Sequence, residues 1–227
     1  MESDSVSELF PLFNTATPET IEWFLSVSEK QNYPPNSLLV SKEDWGKDVI
    51  FIVSGWVNIC ALSRDQEITL DILAEGDYFG EIAVLDDFLP LTRVIALSDV
   101  ELLKISAQRF LQLLFKDPSL QHRMLQLTIQ RVRHLYRRLK SSSQSSERIL
   151  IKTLMDLGKR YGKTTDRGIE ILKVPTPCLA SMIGVDAIAI ETMLEKLRKN
   201  NLIEIDNNNQ TLSLPSLKQL QHFSKQL

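Results

Sequence analysis

The sequence predicts an α+β chain: an antiparallel β-roll or jelly roll, then one long dimerisation helix, then a C-terminal winged helix. Three observations carry that reading. Between Asn32 and Ile105, short apolar runs alternate with turn residues. Residues 118–141 hold an apolar repeat at spacings of four and three, with no acidic residue among them. From Thr176 onward, two helical apolar patterns separated by a turn close on a short hairpin pattern.

The first thirty residues read as a small helical lid. Leu9, Phe10, Leu12 and Phe13 are followed by Thr17-Pro18-Glu19, a helix start, and then Trp23, Phe24 and Leu25. The runs SLLV, DVIFIVSG, WVNICAL, ITLDILA, YFGEIAVL, RVIAL and VELLKI come next. They are cut by Pro34-Pro35, Gly46-Lys47, Ser54-Gly55, Arg64-Asp65 and Glu75-Gly76-Asp77. Regular short strands of this kind build antiparallel barrels and rolls. Ser106 caps a short helix leading into the long one.

The long helix opens on Asp117-Pro118, since proline is tolerated in a first helical turn, and a serine run closes it. Leu125, Ile129, Val132, Tyr136 and Leu139 form a seam for a partner helix, so a homodimer through residues 118–141 is expected. Charge is partitioned sharply beneath a net −3. Residues 1–117 carry 8 basic and 20 acidic side chains, residues 118–141 carry 6 and none, and residues 142–227 carry 12 and 9. The organisation is thus 1–117 roll, 118–141 helix, 142–227 winged domain. The positive charge sits in the helix, as Arg123, Arg131, Arg133, Arg137, Arg138 and Lys140. That cluster reads either as an anion site or as a solvated face paired with the acidic roll.

Several classes are disfavoured. Hydrophobic content of 43% and charged content of 24% over 227 residues are those of ordinary globular domains. No run reaches the roughly 18 apolar residues of a membrane helix, and the acidic N-terminus is unlike a signal peptide. A cytoplasmic protein without membrane contact is expected, with Cys60 and Cys178 as reduced thiols. Scattered histidines and the absence of CxxC or HExxH give no support for a metal. No nucleophile–base–orienter set or phosphate-binding Walker loop is present, so no catalytic residue is assigned and an enzyme is the weakest class.

Gly55 between two strands, followed by Gly76-Asp77-Tyr78-Phe79-Gly80-Glu81-Ile82-Ala83, resembles a cyclic-nucleotide-binding domain. With the following helix and helix-turn-helix, nearly the whole chain is similar to the CRP/FNR family. The resemblance implies that Glu81 meets a ribose hydroxyl. It also implies a phosphate-binding arginine about ten residues on, where this sequence has Leu91. Arg93 lies one side-chain repeat away, roughly 7 Å. Hydroxyls of the family's dimer helix fall near Arg133 and His134. A buried anion left without a guanidinium partner loses several kcal/mol, on the order of a charge-assisted bidentate pair. A different anion suits the residues better. Some family members answer to cyclic di-guanylate (cyclic di-GMP), which is two-fold symmetric and could sit near a dimer axis. Arginine both forks to guanine and meets phosphate, so Arg131, Arg133, Arg137 and Arg138 are its expected ligands, with His134, Glu81 and Arg93. No obligatory cofactor is expected beyond that effector. A pocket that binds nothing, in a purely structural module, is the open alternative.

In the C-terminal domain, Glu147–Tyr161 reads as a helix after the Ser141–Ser146 break, and Ile169–Val174 as a strand behind a polar loop. Thr176-Pro177 reads as cap and first turn. Leu179-Ala180 to Ile183-Gly184-Val185 resembles the first helix and turn of a helix-turn-helix, with Asp186 capping the second helix. Residues 201–214 read as the wing, and residues 215–227 as a docked tail helix. A base-reading helix presents Arg, Lys, Asn, Gln or Ser from its first turns. Here the family's contact positions fall on Ala187, Ile188 and Thr192, beside Glu191, with Lys196 later. An apolar tip rimmed by acid suits a protein partner, such as a transcription factor, better than DNA. The reading is a signal-responsive transcription regulator. Its alternative is a conventional sequence-specific DNA-binding regulator with a cAMP-like ligand or none.

Overall fold

The computed structural model describes residues 3–41, 43–63, 66–86, 92–141 and 144–227. Leu91, Arg64-Asp65, and Ser142 and Ser143 of the serine break lie outside them, as do the side chains of Arg137, Arg138 and Leu139. The chain divides into two compact units. One comprises Met1–Gln66 and Leu70–Arg137, the other Glu67–Thr69 and Arg138–Leu227.

The first unit opens with helix α1 (Ser3–Leu9), a 3-10 turn at Pro11–Phe13 and helix α2 (Pro18–Val27). As expected, Thr17 caps α2: the Thr20 N–H donates to its hydroxyl at 3.3 Å. The strands are β1 (Glu29–Tyr33), β2 (Leu38–Val40), β3 (Asp48–Ser54), β4 (Trp56–Ser63), β5 (Gln66–Ala74), β6 (Tyr78–Phe79), β7 (Thr92–Ala96) and β8 (Val100–Ser106). Two four-stranded sheets result, ordered β1-β8-β3-β6 and β2-β7-β4-β5. Every pairing recorded between their strands is antiparallel. Alternation on β3 explains the layers. Ile50 and Ile52 face the other sheet with Val57, Phe79 and Val94. Val49 and Phe51 face the helices, where Phe10, Phe13, Phe24 and Phe110 close an aromatic core.

The run YFGEIAVL is not one strand. β6 ends at Phe79, and Glu81–Leu85 forms the short helix α3. Gly80 makes the break, at φ +97°, a conformation open to glycine. A Cβ there would meet the Asp48 carbonyl at 2.5 Å. Period-two reading cannot see this corner, because EIAVL is equally apolar as strand or helix.

Helix α4 (Ala107–Lys116) leads to α5 (Pro118–Ser141). Buried Asp117 opens α5, accepting from the N–H groups of Ser119 at 3.0 Å and Leu120 at 3.2 Å. The same carboxylate accepts from Thr17 N–H at 3.3 Å, tying the two helix starts together.

The second unit contains α6 (Ser146–Tyr161), β9 (Lys163–Thr165), β10 (Gly168–Leu172), α7 (Thr176–Ile183), α8 (Ala187–Lys199), β11 (Glu204–Asp206), β12 (Thr211–Leu214) and α9 (Leu217–Gln226). Its sheet runs β11-β12-β10-β9. The expected polar loop thus holds an exposed strand, β9, held by backbone pairing to β10 rather than by any apolar side chain. α7 begins one residue earlier than expected, at the residue read as its cap. Pro175 is the N-cap and no side chain caps there, so Thr176 is helical. Asp186 does cap α8, accepting from Ala189 N–H at 2.7 Å.

Candidate functional site

α5 presents two different faces. Leu120 is buried, and Met124 and Leu127 pack on the aromatic core of the roll. The opposite seam of Leu125, Ile129, Val132 and Tyr136 is uncovered, with exposures between 43% and 68%. Continuing the inner stripe one more step from Leu127 gives Arg131. The guanidinium is therefore delivered to the roll, at the β6–α3 corner.

Three contacts hold it there. Nη1 donates to the Glu81 carboxylate at Oε1. Nη2 donates to the Tyr78 carbonyl at 2.8 Å. The guanidinium also lies 4.4 Å from the centroid of the Tyr78 ring, a cation–π contact. Glu81 is buried, being 6% exposed, and burial raises its pKa while the Arg131 charge pulls it back. Tyr78 stacks on Phe51, and burial pushes its phenol up to about 12. The arrangement is a buried carboxylate answered by one cation from the long helix, a pair that any ligand hydroxyl reaching Glu81 has to rearrange.

The other expected ligand residues scatter. Arg133, two positions after Arg131, lies roughly 200° round the helix and is exposed. His134 is half-buried. Arg93 is exposed on β7, while its neighbours Thr92 and Val94 point inward, so it does not stand in for an inward arginine at this register. Arg137 and Arg138 lie outside the described side chains. Sequence reading missed Tyr78 as a member of the site, and missed that Arg131 leaves the exposed cluster. Spacings of four, three and four through Leu120, Met124, Leu127 and Arg131 carried that signal.

On α8, Ile188 is 75% exposed, and Asp186, Glu191 and Thr192 are exposed beside it, with Ala187 half-buried. The apolar, acid-rimmed tip is as expected. Lys196, expected as a contact to a partner or DNA, keeps half of its side chain exposed. Its Nζ lies 2.8 and 2.9 Å from the two Glu147 oxygens and is thereby tied to α6.

Residues 30–117 match the family model described as "Cyclic nucleotide-binding domain". The chain carries a cyclic nucleotide-binding domain. Its homologues are CRP-family regulators. The "cAMP-activated global transcriptional regulator CRP" of Pasteurella multocida is 26% identical over 194 residues, covering 81% of this chain and 90% of that protein. Among solved structures, a CooA mutant from Carboxydothermus hydrogenoformans aligns with TM-score 0.70 at 20% identity, covering 95% of each chain. The Xanthomonas campestris regulator CLP, described as c-di-GMP responsive, aligns with TM-score 0.70 at 23% identity, covering 88% of this chain and all of that one. These place a CRP-like fold over both units, β-roll and winged helix. The homologues are transcriptional regulators, not enzymes. No single helix among the described residues is long and apolar enough to cross a membrane, and no cluster of metal-ligating side chains is found among them.

Proposed function

We propose that this CRP-like chain is a homodimeric receptor for a cyclic dinucleotide, cyclic di-GMP in preference to cAMP, and that it regulates transcription through a protein partner. The observation that carries the reading is Arg131 seated on Glu81. A sugar hydroxyl can replace the guanidinium as the partner of Glu81. The freed fork then meets a phosphate or a guanine O6/N7 edge, both of which arginine suits. A ligand with one ribose and one phosphate uses Glu81 but lacks an inward cation from β7, since Arg93 faces out. A ligand with two phosphates and two purines draws its cations from α5 instead, where Arg133 adds a second one on the exposed side. The fold is shared with a regulator described as responsive to that ligand.

The uncovered seam of α5 is taken by the same seam of a second copy, an isologous contact that doubles the arginines. Ligand binding shifts the population between two placements of α5 and so reorients the winged units about the serine break. The output surface is the tip of α8. Ile188, with acidic Asp186 and Glu191 beside it, fits an apolar pocket on a transcription factor better than a phosphate backbone. Direct operator binding by a cAMP-type regulator is the second reading, favoured by the named function of the Pasteurella homologue.

Parallel calorimetric titration of the protein with cyclic di-GMP, cAMP and cyclic GMP tests the reading. Cyclic di-GMP binding at least tenfold tighter than the other two is expected. Tighter cAMP binding overturns the ligand assignment, and nanomolar sequence-selective duplex binding with a steep salt slope overturns the partner assignment.

A further inference from the structure

The two ends of α8 differ in character. Its start carries Ile188 among acidic side chains, and its last turn carries Lys196, Arg198 and Lys199. Twelve positions separate Ile188 from Asn200, roughly 18 Å along the helix, so the far end is a separate surface. A groove of about 530 Å³ lies there, between the turn that closes α8 and one side of α9. That volume is within the range of ligand sites. α9 gives it Lys218, Gln219, His222 and Phe223, neighbours on one helix face. The turn gives it Asn201, at φ +55°, and Leu202, whose N–H donates to the Leu197 carbonyl at 3.0 Å and fixes the turn.

The chemistry of the groove is that of a peptide site. Leu202 and the half-buried Phe223 form an apolar floor. Lys196 Nζ stands 5.8 Å from the centroid of the Phe223 ring and is itself tied to Glu147, so the ring is braced. On opposite walls, Asn201 and Gln219 offer amides, which pair with the N–H and C=O groups of a peptide alike. Lys218 and His222 are exposed at the rim. No aspartate or glutamate lines the groove, and α9 has none along its length. The carboxylates of Glu147 and Glu195 are engaged elsewhere, by Lys196 at 2.8 Å and by Arg198 at 3.0 Å.

We propose that this groove is a second docking surface, for an acidic peptide segment of a partner protein. One leucine or aromatic side chain of the segment sits on the Leu202–Phe223 floor, and a carboxylate beside it meets Lys218. A phosphate backbone would use Lys218 but leave the apolar floor empty, and a basic segment would meet Lys218 with the wrong sign. The acid-rimmed tip of α8 suits the opposite charge. The groove is therefore independent of the partner assigned to the tip.

Panning a random-peptide phage library on the whole chain tests the proposal. Selected peptides are sorted by their loss on two variants at exposed positions, Lys218→Glu, which reverses the rim charge, and Gln219→Trp, which fills the groove. Melting by circular dichroism confirms that each variant is folded. The groove-dependent peptides are expected to carry aspartate or glutamate around a leucine or aromatic residue. A fluorescent synthetic copy of the commonest is expected to bind either variant about tenfold more weakly in anisotropy titration, and Ile188→Glu unchanged. Selected peptides that are basic, or that bind both variants as well as the parent, overturn the proposal. So does a labelled DNA duplex whose binding falls with Lys218→Glu while no peptide depends on the groove, since the surface then serves nucleic acid. A smaller assembly for Lys218→Glu in light scattering also overturns it, since the occupant is then a second copy.

Discussion

Replacing Arg131 by methionine keeps the stem that lies along the roll and removes only the charge. Glu81 is then a buried carboxylate, 6% exposed, with its cation gone. Breaking a buried pair from one side costs about 3–5 kcal/mol. The Arg131 side chain is 33% exposed, so solvent screens part of this and about 1–3 kcal/mol is the working figure. At roughly 3 °C per kcal/mol for a domain of this size, melting falls by about 3–9 °C near neutral pH. The pH dependence identifies the cause. Burial raises the folded-state pKa of Glu81, and Arg131 opposes that. Without Arg131 it rises further. A carboxyl with a raised folded pKa binds its proton more tightly when folded. Stability is therefore full below the unfolded value, about 4.3, and is lost as pH rises through the folded value. The deficit of Arg131→Met should be largest at pH 7.5 and shrink toward pH 5, and Glu81→Gln in the same chain should abolish most of it. Melting curves by differential scanning calorimetry at the two pH values measure both effects. A deficit of equal size at both, untouched by Glu81→Gln, would refute the reasoning.

Other expectations follow from single contacts. Asp117→Asn should cost about 1–2 kcal/mol in denaturant titration, since the amide has a single acceptor oxygen and can either cap α5 or hold Thr17, not both. Burial opposes ionisation there, but the hydrogen bonds from Ser119, Leu120 and Thr17 outweigh it and hold the pKa down. The wild-type advantage is therefore complete above about pH 3.9 and disappears as pH falls through the depressed value. Gly80→Ala should lower stability by about 2–4 kcal/mol, because it combines φ +97° with a Cβ at 2.5 Å from the Asp48 carbonyl. Joint replacement of Ile129 and Val132 by glutamate should convert a dimer to a monomer in light scattering, with the melting of the first unit little changed, since both side chains are half or more uncovered or nearly so, at 50% and 43%.

Much of the fold was legible because its signals are local and repeated. Strand alternation, the Thr17 and Asp186 caps and the two faces of the helix-turn-helix each rest on a few neighbouring residues. Glu81 was singled out only through the resemblance carried by the Gly76 to Ala83 stretch; the corner at Gly80, where backbone comes close to Asp48, was not read from the sequence. What escaped was direction. Six cations on α5 look alike one by one, and the inner stripe through Leu120, Met124 and Leu127 that sends Arg131 inward and leaves Arg133 outside went unread beside the stronger outer seam. Tyr78 escaped for another reason. Its carbonyl and ring face act in the site, and neither has a sequence signature distinct from that of a core aromatic. The Lys196–Glu147 pair escaped as well, because its two members lie 49 residues apart.

The most direct measurement is calorimetric titration of cyclic di-GMP into the wild-type protein and into a chain carrying Arg131→Ala with Arg133→Ala. Micromolar or tighter binding to the first, weakened at least thirtyfold in the second with stoichiometry per dimer unchanged, is the predicted result. Equal affinity in the two would place the ligand away from α5 and contradict the account.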